Sequence, residues 1–148
     1  MENIAQQLEE TVDVAANLLR SLDEATVRAV PAPGKWSIAE VLGHLVDSAA
    51  NNHQRFVRAQ EAASYEGPKY AQDGWVASQG YAEAPWAELV ELWRLYNLHL
   101  ARVMRRIPAT ALDVPCRVGD DEPVTLRFLI EDYLEHLKHH LRQIDRQR

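Results

Sequence analysis

The sequence predicts an all-α protein, a bundle of four long helices. Apolar residues recur at helical spacing in four segments of about 20 residues each, which is the pattern of amphipathic helices in such a bundle. Glycine is scarce, with 6 among 148 residues, and the periodic stretches are long and uninterrupted. A chain of this length fits one sizeable core. We therefore expect a single domain over residues 1–148.

A clear break separates the first two helices. The apolar pattern predicts a first helix over about residues 3–23. Two prolines and a glycine within residues 30–35 cannot continue that helix cheaply. Ser37 and Glu40 then match a capping box, in which each side chain satisfies a backbone N–H at the start of a helix. The second helix is predicted to run from this cap to about residue 62.

Long connections follow the second and third helices. Residues 64–84 are the least regular part of the chain, and a connection of that length is unusual in a bundle unless it is functional or mobile. The third helix is predicted to begin near Pro85. Residues 108–124 form the next connection, with an extended piece at Val114–Val118, and Thr125 can cap the fourth helix. The expected buried stripe of the third helix is Leu89, Leu92, Trp93, Tyr96, Leu100, Val103 and Ile107.

Composition and charge exclude several function classes. The formal net charge of −6 disfavours nucleic-acid binding, which needs a positive surface. Cys116 is the one cysteine, so no internal disulfide points to an oxidising compartment. The N-terminus lacks the features of a signal peptide, and no apolar run approaches the roughly 20 residues that span a bilayer. We expect a cytoplasmic protein with no membrane or nucleic-acid partner.

Three histidines form the candidate site. His136 and His140 are four residues apart in the last helix, so their imidazoles lie on one face, one turn apart. His44 lies at or beside the inward stripe of the second helix. The three rings can point at one interior location and would form a three-nitrogen metal site with room for water and substrate. The alternative is that they are packed histidines with hydrogen-bond partners. For two histidines four residues apart, considered by themselves, that role is commoner than metal binding.

Polar residues continue the face of His44 along the second helix. Asp47 can accept a hydrogen bond from a ligand, act as a general base or be a fourth ligand; alternatively it is a partner of Asn51 on a polar stripe. We expect His44, Asp47, Asn51 and Arg55 to form a polar ridge that lines a cavity. Arg55 can bind an anionic group of a substrate there, or it is a solvated surface charge.

Aromatic and histidine side chains elsewhere have weaker signals. Tyr70 and Trp75 can wall a pocket, or they belong to an aromatic cluster at the helix edge. His139 lies about 100° around the helix from its neighbours, so we place it at the rim of the site. His53 and His99 have no partner that the sequence reveals, and we expect surface or packing roles for both.

Together, four sequence pieces resemble the DinB/YfiT-like superfamily of bacterial four-helix proteins. They are Gly34-Lys-Trp-Ser37, Gly43-His-Leu-Val-Asp-Ser48, Arg55-Phe56 and His136-Leu-Lys-His-His-Leu-Arg-Gln-Ile144. The resemblance implies an up-down-down-up bundle, commonly a homodimer, with a metal held by His44, His136 and His140. Members are described as metal-dependent hydrolases, or as transferases and isomerases that use a small thiol such as bacillithiol or mycothiol.

The expected function is therefore a metal-dependent enzyme. A divalent ion, zinc or nickel, would activate a water for hydrolysis or bind a low-molecular-weight thiol for S-transfer. Asp47 would accept the released proton, and Asn51, Arg55, Tyr70 and Trp75 would contact the small-molecule substrate or thiol. A non-catalytic metal- or ligand-binding module is the first alternative, and a structural protein with packed histidines is the second.

Overall fold

Four long helices make up most of the computed structural model, which describes residues 1–148. The helices are α1 (Glu2–Arg20), α2 (Glu24–Arg28), α3 (Ile38–Ala59), α4 (Gln72–Gln79), α5 (Trp86–Arg106) and α6 (Leu126–Gln147), with one 3-10 turn at Ala109–Ala111. Three short strands are β1 (Tyr65–Gly67), β2 (Pro115–Val118) and β3 (Val124–Thr125). The predicted four-helix bundle is confirmed, with α1, α3, α5 and α6 as its helices.

Contacts between the long helices define an up-down-down-up bundle. Around the bundle the order is α1, α5, α3, α6, and each helix packs against its two neighbours. Helices α1 and α5 are antiparallel, because Asp13 pairs with Arg94 while the earlier Glu9 pairs with the later Arg105.

The contacts of α6 with α3 and α1 show in which direction the remaining helices run. His44 contacts His140, and Phe56, three turns later in α3, contacts the earlier Tyr133, so α3 and α6 are antiparallel. Helices α1 and α6 run parallel, because Gln7 contacts Lys138 while the later Leu18 lies beside Leu141 and Asp145. It follows that α3 and α5 are parallel neighbours, and the chain must return along the bundle between them. A helix of 22 residues is about 33 Å long, which explains the long connection after α3.

Both predicted side-chain caps are confirmed. Ser37 accepts a hydrogen bond from the Glu40 backbone N–H, and the Glu40 carboxylate accepts one from the Ser37 backbone N–H. The Thr125 hydroxyl accepts a hydrogen bond from the backbone N–H of Phe128. These caps fix where α3 and α6 begin, and so fix the position of the histidines along each helix.

For one residue of α5, Leu92, the predicted burial is wrong. Leu92 is 51% exposed. The buried face of α5 instead follows Leu89 to Trp93 and then continues to Asn97, a polar residue. Asn97 is fully buried because its amide donates to the Trp93 carbonyl oxygen and accepts from the Tyr133 hydroxyl. The sequence pattern missed this position because it counted only apolar residues, and the buried face of α5 includes the polar Asn97.

The two long connections are more regular than the sequence predicts. Residues 64–84 contain β1 and α4, and the extended piece expected at Val114–Val118 is β2. Strand β1 pairs with β2 in parallel and β2 pairs with β3 in antiparallel register. This small sheet ties the end of α3 to the start of α6. No helix of the protein has the length and hydropathy needed to cross a bilayer.

Candidate metal centre

Two antiparallel helices bring the three histidines together. His44 is on the first half of α3 and is fully buried. His136 and His140 are partly buried on consecutive turns of α6. Because α3 packs against α6, the His44 ring contacts rings on two successive turns of α6, with centroids 5.2 Å from His136 and 4.7 Å from His140. The packing of the bundle therefore makes the cluster that the sequence predicted.

The distances within this cluster suit a single cation. One ligand atom from each histidine lies within 4.8 Å of the others. The His44 Nε2 and His136 Nε2 atoms are 3.3 Å apart. Two nitrogens bound tetrahedrally to one zinc ion, each at about 2.0–2.1 Å, lie about 3.3 Å from one another. The donor set thus fits a divalent metal without rearrangement of this pair.

The imidazoles are neutral at physiological pH. Burial, together with the neighbouring His140 and His136, lowers the pKa of His44 to about 3. Burial also lowers the pKa of His136 to about 4, and it lowers the pKa of His140. A neutral imidazole has a free nitrogen lone pair, which is what a metal requires. Burial therefore keeps the three imidazoles in the neutral form that can bind a metal.

Neighbouring side chains orient two of the rings. The Nδ1 atom of His140 is 2.9 Å from the Gln143 Oε1 atom, and a proton on Nδ1 leaves Nε2 free as a ligand. The His44 ring lies between aromatic rings, with centroids 5.1 Å from Trp36 and 6.4 Å from Tyr70. The Nδ1 atom of His44 is buried without a hydrogen-bond partner. His136 has the Ser48 hydroxyl 3.5 Å from its Nδ1.

Asp47 lies outside the histidine cluster and joins α3 to the connection that follows it. Its Oδ1 atom accepts hydrogen bonds from the Tyr81 hydroxyl, at 2.7 Å, and from the Gln79 amide, at 2.6 Å. Its Oδ2 atom is buried without a partner. Burial raises the pKa of this carboxyl, and the hydrogen bonds from Tyr81 and Gln79 oppose that rise. Asp47 is not within ligand distance of the cluster.

A cavity of about 260 Å³ opens beside His136. Its α3 wall is made by Ser48, Asn52 and Arg55. The polar ridge along α3 therefore differs from the expected one, since Asp47 and Asn51 do not line this cavity. With about 100° of rotation per residue, Ser48 and Asn52 lie about 40° and 80° to one side of His44, and Asp47 and Asn51 lie about 60° and 20° to the other side. The cavity lies on the side of Ser48 and Asn52, and of the expected ridge residues after His44 only Arg55 lines it.

The other residues expected to contact a ligand differ in burial and do not all line the same cavity. Tyr70 lines the cavity, and burial raises the pKa of its hydroxyl to about 12, so it stays protonated at neutral pH. Trp75 is 38% exposed and packs on Tyr70, with ring centroids 5.1 Å apart. Asn51 donates a hydrogen bond to the Asp47 carbonyl oxygen. Asn51 and Arg55 both line a neighbouring cavity of about 310 Å³.

The remaining histidines are separate from the cluster or at its edge. His139 is exposed, and its ring centroid is 5.1 Å from that of His140, as expected for a rim residue. The His53 Nδ1 atom is 3.2 Å from the Tyr96 hydroxyl, and its ring contacts His99. These contacts cross from α3 to α5, so the sequence alone could not pair the residues.

Several residues of the site were missed by sequence reasoning. Ser48 and Asn52 follow His44 at four-residue intervals, but Asp47 and Asn51 lie equally near its face, so spacing alone could not choose between the two pairs. Gln143 follows His140 by three residues, a spacing that brings side chains on one helix together. Gln79 and Tyr81 had no such signal, because the course of a 26-residue connection cannot be read from periodicity.

The fold and the cluster define a class of protein: a helix bundle with three neutral imidazoles gathered beside a polar cavity. The family model for the DinB superfamily matches residues 7–144, which is nearly the whole chain. The chain therefore belongs to the DinB superfamily.

A solved structure shares this fold. YfiT from Bacillus subtilis, described as a probable metal-dependent hydrolase with an unusual four-helix bundle topology, is similar with a TM-score of 0.85 and 20% sequence identity. The similarity covers 98% of this chain and 83% of that one. A comparison with curated proteins finds no matching sequence.

Proposed function

We propose that the protein is a metal-dependent enzyme in which His44, His136 and His140 bind one divalent ion. The observation that carries this proposal is the convergence of three neutral imidazoles within 4.8 Å. The description of YfiT as a probable metal-dependent hydrolase supports it, because the two proteins share a fold. Zinc and nickel both suit three imidazoles with positions left open.

The ion would supply one of two chemistries: an activated water for hydrolysis or a binding position for a small thiol as its thiolate. The protein contributes binding and proton transfer. Tyr70, with Trp75 packed against it, closes one side of the cavity and offers a hydroxyl donor. Arg55 attracts an anionic group of the substrate or thiol. Asn51 would contact a ligand that extends past Arg55 into the neighbouring cavity.

Asp47 is the proposed acceptor of the released proton. Burial raises its pKa, which brings its basicity closer to neutral pH, where a general base is most effective. Its Oδ2 atom is buried and has no hydrogen-bond partner, so it would take the proton through an intervening water rather than directly from the metal site. The hydrogen bonds from Tyr81 and Gln79 hold the carboxyl in place through Oδ1.

Elemental analysis of the purified protein tests the proposal directly. His140→Ala removes one of three ligands, so we expect the metal content to fall from about one ion per chain to near zero. His99→Ala is the matched control, because His99 is exposed and lies outside the cluster. Unchanged metal content in His140→Ala would defeat the proposal. Ester hydrolysis and thiol conjugation to a generic electrophile then separate the two reaction types.

A non-catalytic binding module is the second candidate. It is favoured by the cavity, which lies beside His136 and has a half-buried cationic wall residue in Arg55. Full metal occupancy without turnover in either assay would support it. For both candidates we propose a homodimer, which light scattering of the purified protein would test.

A further inference from the structure

Two oppositely charged side chains face the cavity and are not used by the proposed metal site. Arg55 extends from α3 and Asp132 from α6, where it precedes His136 by one turn. Arg55 is half-buried and has no carboxylate within 4.0 Å; it contacts the Asn52 Oδ1 atom at 3.4 Å and the Pro68 carbonyl oxygen at 3.5 Å. These are long, weak hydrogen bonds. Its charge is therefore available to a ligand.

Asp132 is equally free. It is exposed, and it forms neither an ion pair nor a side-chain hydrogen bond. The remaining charged wall residue, Lys69, is already paired with Asp121 at 2.7 Å. The cavity thus presents one free cation from α3 and one free anion from the neighbouring α6.

These two charges lie where two cavities adjoin. A second cavity of about 210 Å³ shares Arg55 and Asp132 with the first. No ion pair joins the two charges, and both line the same two cavities, so one ligand in this space can contact both. One helical turn of about 5.4 Å separates Asp132 from His136 along α6. A ligand held by both charges therefore has its third substituent within reach of the histidine cluster.

We propose that the ligand of this cavity is a zwitterion of the amino-acid type, with its carboxylate on Arg55 and its ammonium group on Asp132. The inference rests on the proposed function, because the third substituent, a thiol or another reactive group, is directed toward the metal. A cavity of about 260 Å³ is smaller than the 300–1,000 Å³ of drug-sized sites, which suits a small molecule of this class. A dianion would be repelled by Asp132, and a neutral thiol would leave both charges unpaired.

Thiol binding to the cobalt-loaded protein tests this specificity. The probes are L-cysteine, cysteamine and 3-mercaptopropionate, and the readout is the sulfur-to-cobalt charge-transfer absorption. Cysteamine lacks the carboxylate, and we expect it to bind about tenfold more weakly than L-cysteine. 3-Mercaptopropionate lacks the ammonium group, and we expect about threefold weaker binding, since Asp132 is exposed.

Two variants assign the charges. Arg55→Gln should remove the preference for L-cysteine over cysteamine, and Asp132→Asn should remove its preference over 3-mercaptopropionate. Arg102→Gln and Glu131→Gln are the controls, because both are exposed charges on the long helices and neither lines this cavity or the two that adjoin it. Equal affinities for the three thiols in the unaltered protein would overturn the zwitterion proposal while leaving the metal site intact.

A second titration needs neither metal nor thiol. L-Alanine, propionate and ethylamine are added to ¹⁵N-labelled metal-free protein, and the Arg55 Nε–H signal and the backbone amides around Asp132 are followed. We expect L-alanine to shift these signals at the lowest concentration. If none of the three shifts them, or if all three do so equally, the zwitterion proposal is wrong. If the protein binds no cobalt, the proposed function fails, and this titration decides the zwitterion proposal by itself.

Discussion

Gln143 shows how one side chain can set the chemistry of another. Its Oε1 atom lies 2.9 Å from the Nδ1 atom of His140, one turn along the same helix. A hydrogen bond that holds the proton on Nδ1 fixes both the tautomer and the orientation of the ring. His44 has no such polar partner and is held by aromatic packing instead. The cluster therefore depends on different contacts at different ligands.

Gln143→Leu should weaken metal binding without unfolding the protein. Loss of the acceptor frees the His140 ring and its tautomer, and changes of this kind typically cost about 10–100-fold in metal affinity. Competition with a chelator of known affinity measures the change. Gln147→Leu, one turn further along α6, is the control, because the Gln147 Oε1 atom has no hydrogen-bond partner. Equal losses in both variants would show that Gln143 does not orient His140.

Tyr81→Phe should raise the pKa of Asp47. The Tyr81 hydroxyl donates to the Asp47 Oδ1 atom, and this hydrogen bond lowers the pKa because it favours the charged carboxylate. Burial, the main cause of the raised pKa, then acts with less opposition. Carbon-13 NMR of the Asp47 carboxyl group follows the titration. Tyr96→Phe, which removes the hydroxyl near His53, should leave it unchanged, and an unmoved Asp47 titration in Tyr81→Phe would refute the assignment.

At the scale of the elements, the connection after α3 is anchored where it passes Gly43. The Tyr81 ring packs so closely on α3 that a Cβ atom at position 43 would lie 2.1 Å from it. The same ring carries the hydroxyl that binds Asp47. A glycine in the middle of a helix costs about 1 kcal/mol relative to alanine. Here glycine lets the Tyr81 ring pack directly on the backbone of α3, and this contact holds the connection over the site.

Gly43→Ala should destabilise the protein despite the better helix propensity of alanine. The methyl group would displace the Tyr81 ring, and overpacking of this kind typically costs about 1–3 kcal/mol, more than the propensity gain. Urea unfolding monitored by circular dichroism measures the free energy of unfolding. Gly74→Ala in α4 is the control, because its Cβ would meet only Ala71 at 3.8 Å; stabilisation by up to about 1 kcal/mol is expected there. A stabilised Gly43→Ala variant would contradict the packing argument.

For the whole molecule, the buried histidines link the bundle to pH as well as to metal. Burial holds the pKa of His44 near 3 and that of His136 near 4, against about 6.5 for histidine in an unfolded chain. Between these values the unfolded chain binds more protons than the folded one. Stability therefore rises with pH in this window and is lost as the pH falls.

The metal-free protein should lose stability from about pH 6.5 down to about pH 4. Its urea midpoint is measured after treatment with a chelator, at pH 7.5 and at several lower values. His136→Gln removes one of the shifted groups, so its midpoint should decline less steeply over the same range. His99→Ala serves as the comparison for loss of an exposed histidine. Parallel declines in His136→Gln and the unaltered protein would show that His136 does not contribute to the pH dependence.

Much of the fold follows from local signals in the sequence. The four long helices, the capping box at Ser37 and the cap at Thr125 each depend on residues within a few positions of one another. The small sheet was out of reach because β1 and β2 are about 50 residues apart, and each is too short to show a pattern of its own. The burial of Asn97 likewise depends on a partner in another helix, Tyr133.

The sequence by itself determined the helices, their starts and the candidate trio of histidines, because helical periodicity and capping are properties of neighbouring residues. Only the tertiary structure decided that His44 meets His136 at 3.3 Å and that Ser48 and Asn52, not Asp47 and Asn51, face the cavity. The physical reason is that a helix fixes the relative angles of its own side chains. Its rotation against a neighbouring helix is set by the packing of the whole core.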